Sequence, residues 1–180
     1  MGPDALDNGD PPAAQRHYEA SRALPVSPDA LFPHLDDQIL GAHMETSSAM
    51  MGGGRMSFEF DAERGMAVGS RIHMGGSAFG LTLSVDEVVT LREPPRRKAW
   101  RTVAKPRLLI IGGYEMGFRI ADAPAGCELT VWIDYWLPQA WLGVLLGRLF
   151  GGFYARWCVG RMVADAAKAF SSPVSAQSTA

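Results

Sequence analysis

"VWIDYWLPQAWLGVLLGRLFGGFYARWC", residues 131–158, is the most apolar stretch of the chain and holds four of its five tryptophans. A membrane-spanning helix needs about 20 consecutive apolar residues, and Asp134, Arg148 and Arg156 interrupt this run. The longest charge-free piece, Tyr135–Gly147, also contains Pro138 and Gln139. Charges at mid-bilayer are costly, so the stretch is not a span. It divides at Pro138. Before it, Leu129, Val131, Ile133, Tyr135 and Leu137 alternate with Thr130, Trp132, Asp134 and Trp136, the two faces of a strand. After it, Leu142, Leu145, Leu146, Leu149, Phe153 and Trp157 recur at three- and four-residue steps, one stripe of a helix from Ala140 to about Phe170. Val159, Met162, Val163 and Ala166 continue the stripe, with Arg156, Arg161, Asp165 and Lys168 on the wet side. Gly151-Gly152 is expected to bend or split this helix, since an interior glycine costs about 1 kcal/mol against alanine.

The chain has 180 residues, 47% hydrophobic and 20% charged, the composition of one globular domain of ordinary size. A net charge of −2 gives no electrostatic reason to expect nucleic acid. The basic cluster Arg96, Arg97, Lys98 beside Pro94-Pro95 reads as a solvated turn. Cys127 and Cys158 show no CxxC or metal-ligand spacing, and the four histidines show none either. No cofactor or metal is therefore expected, and a reduced cytoplasmic setting fits. Residues 1–15 read as a disordered leader, acidic and proline-rich, and 171–180 as a disordered tail.

Upstream, Tyr18–Val26 reads as a strand, with Ser27 as N-cap and Pro28 at the first position of a short helix. A second short helix is expected from Asp36-Asp37 through His43. Then come six strand-like runs, "GRMSFEFD", "GSRIHMGG", "LTLSVDEVVTLRE", "KAWRTVAK", "LLIIGGYEMGFRIAD" and "CELTVWIDYWL", separated by turn chemistry. Sequential strands with short connections imply an antiparallel meander, and the long last helix is the element able to cover its concave face.

Three segments, "LPVSPDALFPHLDD", "VDEVVTLREPPRRKAWRT" and "YEMGFRIADAPAGCELTVWIDYWLP" with the helix after it, resemble the START-related superfamily, also called SRPBCC or polyketide cyclase/dehydrase-like. The similarity covers residues 16–170. It implies an α+β helix-grip domain: a seven-stranded curved antiparallel sheet wrapped around a long C-terminal helix, with two short helices between strands 1 and 2. It also implies a cavity between sheet and helix for an apolar molecule. Some relatives cyclise or dehydrate such molecules, and others only carry them. The superfamily has no universal catalytic motif.

On that architecture Tyr114, Met116, Phe118, Ile133, Tyr135, Leu146, Phe150 and Tyr154 are the expected ligand-lining residues. Glu87 falls in step with Leu83, Val85, Val89 and Leu91, which would bury a carboxylate and raise its pKa, suiting a general acid. A bulge near Asp86-Glu87 would instead turn it to solvent, and that is the preferred reading. Tyr114 and Tyr135 are hydrogen-bond anchors or satisfied core residues. Arg101 alternates with Trp100, and the pattern leaves open which points inward. Glu87, Arg101 and Tyr114 are the catalytic candidates. Arg71 and His73 share the surface face of their strand if Ile72 and Met74 face inward. His43 and Glu45 follow the second short helix and default to a solvated loop. Glycines inside the strands, Gly75-Gly76, Gly80 and Gly112-Gly113, point to sheet curvature.

The row Gly143, Gly147, Gly151, Ala155 lines one helix face. It marks tight packing on the sheet, a thin wall that leaves room for a ligand, or close helix–helix approach. Trp132 and Trp136 fall on the face a helix-grip sheet turns outward, where they would form a patch for dimerisation or a membrane surface. If the sheet curves the other way they line the pocket. The expected function is binding or transfer of a lipid, isoprenoid or polyketide-like molecule. A cyclase/dehydratase-type enzyme is the alternative. A protein-interaction module working through the tryptophan patch is a third.

Overall fold

The computed structural model describes residues 15–38, 56–78, 81–108 and 110–171. The proposed leader (save Gln15, in the first strand) and tail (save Ser171, in the last helix), His43, Glu45, Gly80 and most of the second short helix lie outside these residues. Seven strands form one antiparallel sheet: β1 Gln15–Leu24, β2 Met56–Phe60, β3 Arg71–Ala78, β4 Leu81–Glu93, β5 Arg97–Arg107, β6 Gly113–Ala123 and β7 Gly126–Trp136. Their spatial order is β1-β7-β6-β5-β4-β3-β2, a meander with β1 added beside β7. Two helices are described, α1 (Pro28–Gln38) and α2 (Trp141–Ser171).

β1 stops at Leu24, two residues short of the expected end, because Pro25 cannot donate to the ladder. The amide of Ala30 then bonds the Ser27 hydroxyl at 3.4 Å, capping α1, and Pro28 takes the first helical position. Asp36 and Asp37 belong to this same helix and do not open a second one. β6 starts at Gly113, later than the run "LLIIGG" suggests. There the Gly112 amide bonds the Trp136 carbonyl at 2.7 Å, and a Cβ on Gly112 would lie 2.6 Å from the Leu137 carbonyl oxygen.

α2 is continuous through Gly151-Gly152, so the expected break is absent. It lies over β1 and β7. Its orientation reverses expectation in the first half. Leu142, Leu145, Leu149 and Phe153 point to solvent, while Gly147, Gly151 and Ala155 are buried. A Cβ on Gly147 would stand 2.7 Å from the Ile110 carbonyl oxygen and 2.8 Å from Leu137 Cδ2; on Gly143, 2.7 Å from Pro138 Cβ. The glycine row is therefore the packing face: the helix backbone rests directly on the chain that leaves β7 and approaches β6. In the second half the buried face carries side chains again, Val159, Met162, Val163 and Ala166.

On the sheet, Val131, Ile133 and Tyr135 face the core and are buried, and Trp132 and Trp136 lie on the convex side. They are half-buried there. Each covers a β6 glycine, Trp132 over Gly117 and Trp136 over Gly113, where an added Cβ would meet the indole at 2.9 and 2.3 Å. The exposed tryptophan patch expected at this face is thus largely folded down onto the sheet.

The basic cluster divides. Arg96 pairs with Asp122 and Arg97 with Glu93 at the surface, but Lys98 is only 2% exposed and bonds Asp36 at 2.6 Å. Arg92 bonds the same carboxylate at 2.7 Å, so one buried Asp36 ties α1 to β4 and β5. Burial alone would raise the Asp36 pKa; the two cationic donors override it and hold it below the ordinary value.

Candidate functional site

Glu87 is buried, 4% exposed, in step with Leu83, Val85 and Val89. The β4–β5 pairing does contain two irregularities, between Ser84 and Asp86 and between Val89 and Leu91. The first has its extra residues on β5, where Ala104 adopts a positive φ of 60°, so β4 keeps its alternation. The second inserts Thr90, beyond Glu87. The bulge expected to expose Glu87 therefore exists but sits on the neighbouring strand.

Tyr114 reaches Glu87 from β6, its hydroxyl donating to Glu87 Oε1. Thr102, opposite Glu87 in β5, fixes the tyrosine backbone. Its Oγ1 accepts from the Tyr114 amide at 3.0 Å and donates to the Tyr114 carbonyl at 3.2 Å. Tyr114 stands where two apolar clusters meet. One is Ile72, Met74 and Val85 with Phe58; the other includes Met116, Phe118, Ile133 and Tyr135. Tyr154 of α2 packs on the second cluster, and its hydroxyl and the Cys158 thiol, one helical turn on, act on each other electrostatically.

The electrostatics follow from this burial. Desolvation raises the Glu87 pKa to about 7, against the pull of the Tyr114 hydroxyl and the distant positive charge of Lys98. Burial and the facing carboxylate push Tyr114 well above its ordinary value, and Cys158 with burial does the same to Tyr154. The Cys158 thiol is pushed up to about 12, chiefly by burial. At neutral pH the tyrosines and the thiol are neutral, and Glu87 exchanges a proton near the physiological range. The arrangement is an apolar interior holding one titrating carboxyl and one hydroxyl bonded to it, suited to orienting a polar atom of an otherwise apolar molecule or to moving one proton.

The other candidates fall as follows. Met116, Phe118, Ile133 and Tyr135 are buried on the same face as Tyr114. Leu146 is half-buried on α2. Phe150 is 50% exposed, on the outward side of α2, and does not line the interior. Arg101 pairs in register with Val88 and Glu115, opposite to Trp100, which is buried. It stands on the convex face, where its charge acts on Glu115, and so cannot serve Glu87 or Tyr114. His73 bonds Asp86 at 2.7 Å on that face, as the inward Ile72 and Met74 require. Sequence reasoning missed Lys98, although it lies in phase with the inward Trp100 and Thr102, and the Tyr154–Cys158 pair. Their i,i+4 spacing was its only signal. Among the described residues no three His, Cys, Asp or Glu side chains gather as a metal site.

A meander wrapped on one long terminal helix has counterparts among solved structures. The chain has the helix-grip fold. Truncated norcoclaurine synthase from Thalictrum flavum superposes with a TM-score of 0.60 at 12% identity, covering 89% of this chain and 95% of that one. The ZhuI aromatase/cyclase from Streptomyces sp. R1128 gives 0.59 at 16% identity over 85% and 94%. Ara h 8.0201 gives 0.56 at 13% identity over 85% and 98%. At such identities the likeness is one of fold. No family model matches the chain, and no curated protein matches it in sequence.

Proposed function

We propose that the helix-grip interior binds a small apolar ligand, a lipid, isoprenoid or polyketide-like molecule, with Glu87 and Tyr114 as its polar anchor. The observation that carries this is a buried carboxyl whose nearest polar partner is a tyrosine hydroxyl, set among Ile72, Met74, Val85 and Met116. Such a pair is costly in a purely structural core and useful when a bound molecule supplies a further hydrogen-bonding atom. Mass spectrometry of the protein purified from its own host is expected to find a co-purified apolar small molecule. Adding that molecule class is expected to raise the unfolding midpoint. No bound species and no shift with fatty acids, isoprenoid alcohols or aromatic polyketides would overturn the proposal.

A second reading rests on the same carboxyl. A glutamic acid titrating near 7 is poised as a general acid or base, as in a cyclase/dehydratase-type reaction. Glu87→Gln would then abolish turnover while ligand binding survives; in the carrier reading it changes affinity alone.

A further inference from the structure

The first half of α2 turns its large side chains outward. Trp141, Leu142, Leu145, Leu149, Phe150 and Phe153 are between 50% and 79% exposed, and they follow one another at helical spacing along one side. Six such residues on one surface exceed the scattered apolar exposure normal for a monomer. Among the described residues nothing covers them. The opposite side of the same helix is committed to the sheet through Gly143, Gly147 and Gly151, so the helix cannot roll to bury the stripe.

Charge identifies the occupant. From Tyr135 to Ala164 the chain contains Arg148, Arg156 and Arg161 and no Asp or Glu; Arg161 is paired with Asp165 at 3.2 Å, so Arg148 and Arg156 are the cations of the strip. Arg148 is exposed beside the stripe, and Arg156 closes its far end, its guanidinium held over the Tyr18 ring at 5.8 Å. The whole chain carries −2, so this basic, apolar strip is a local feature. Pairing the strip with its own copy would bring arginines against arginines, with no acid on either face to match them. An anionic bilayer answers both properties: acyl chains accept the Trp, Leu and Phe side chains while phosphate headgroups meet the arginines. Trp141, the most exposed of the six, stands at the helix start, where an indole favours the headgroup boundary.

We propose that the outward face of α2 from Trp141 to Phe153 docks on the surface of an anionic membrane, the helix lying in the interface. No helix among the described residues is long and apolar enough to cross a membrane, which accords with surface docking. This inference does not rest on the ligand reading.

The test is co-sedimentation of the full chain with vesicles of phosphatidylcholine alone and of phosphatidylcholine with phosphatidylserine, alongside sedimentation equilibrium without lipid. Binding is expected on the anionic vesicles and to weaken with salt. The double variant Leu145→Gln/Leu149→Gln should bind at least tenfold more weakly, from the apolar transfer it forfeits. Arg148→Gln should bind roughly fivefold more weakly to anionic vesicles, the effect of one interfacial cation. Both variants alter exposed residues, so an unchanged unfolding midpoint serves as the control. Glu87→Gln should dock like the wild type, which separates this result from the fate of the ligand proposal. Failure to bind anionic vesicles would overturn the inference. So would a lipid-free dimer that the double variant dissociates, since the strip would then belong to a second copy.

Discussion

Replacing Glu87 by glutamine keeps the side chain's shape and leaves a carbonyl to accept the Tyr114 hydroxyl, but removes the titration. The folded protein binds its Glu87 proton up to about pH 7, whereas a glutamate ordinarily titrates at 4.5. The native state therefore binds more protons than the unfolded chain between these values, and stability falls with rising pH across that window. At 1.36 kcal/mol per pH unit, the stability present below pH 4.5 is reduced by about 3 kcal/mol once pH has risen past 7. In Glu87→Gln this loss disappears. Wild type and variant should unfold at similar urea concentrations near pH 4.5. At pH 8 the variant should be more stable by about 3 kcal/mol, a difference of about 6–12 °C in thermal midpoint for a chain of this size. Unfolding by urea and by heat from pH 4.5 to 8.5, each variant against wild type at the same pH, cancels every other titrating group. Curves that stay parallel across the window would refute the buried, proton-holding state of Glu87. A variant that becomes relatively less stable at high pH would show that the carboxylate is held charged.

Two glycines in α2 should respond oppositely to alanine. Gly160 has nothing within 4 Å of the added methyl, so Gly160→Ala is expected to stabilise by about 0.5–1 kcal/mol through helix propensity. Gly147→Ala would force its methyl against the Ile110 carbonyl and should cost about 1–3 kcal/mol; equal midpoints for the two variants would contradict the close helix–sheet contact. Asp36→Asn leaves Lys98 buried without its counter-charge and should destabilise by about 3–5 kcal/mol in urea unfolding at neutral pH. Because the folded Asp36 pKa is lowered, its contribution is present above the ordinary value of 3.8 and lost as pH falls further, so the penalty of Asp36→Asn should shrink in acid.

The sheet was legible because its strands alternate cleanly: "LTLSVDEVVTLRE" is β4 residue for residue, and β7 follows the pattern that ends at Pro138. The burial of Glu87 was written in the same alternation. What alternation could not say was on which strand the bulge lay, since that depends on the count of residues in β5. The orientation of α2 was misread for a physical reason. Helical periodicity locates an apolar stripe but identifies the core face only if the largest side chains pack inward. Here the helix sits so near Leu137, Pro138 and Ile110 that only glycine fits between, and the leucines are left outside. Lys98 was hidden by its neighbours: after Pro-Pro-Arg-Arg it reads as surface charge, and its partner Asp36 is remote in sequence. Strand alternation left open whether Arg101 or Trp100 points inward, and Phe150 was placed by fold analogy, which does not fix the rotation of a helix.

Cys158 gives the molecule a built-in clock. Only thiolate reacts with alkylating reagents, and a thiol raised to about 12 inside the fold is almost wholly protonated at neutral pH. Cys127, in β7, is buried, and its thiol is raised too, chiefly by burial. Each sulfur thus becomes reactive chiefly when its surroundings open. Labelling at Cys158 that outpaces labelling at Cys127 would time the lifting of the helix from an intact sheet. Equal rates would mean that the two part only when the entire structure unfolds.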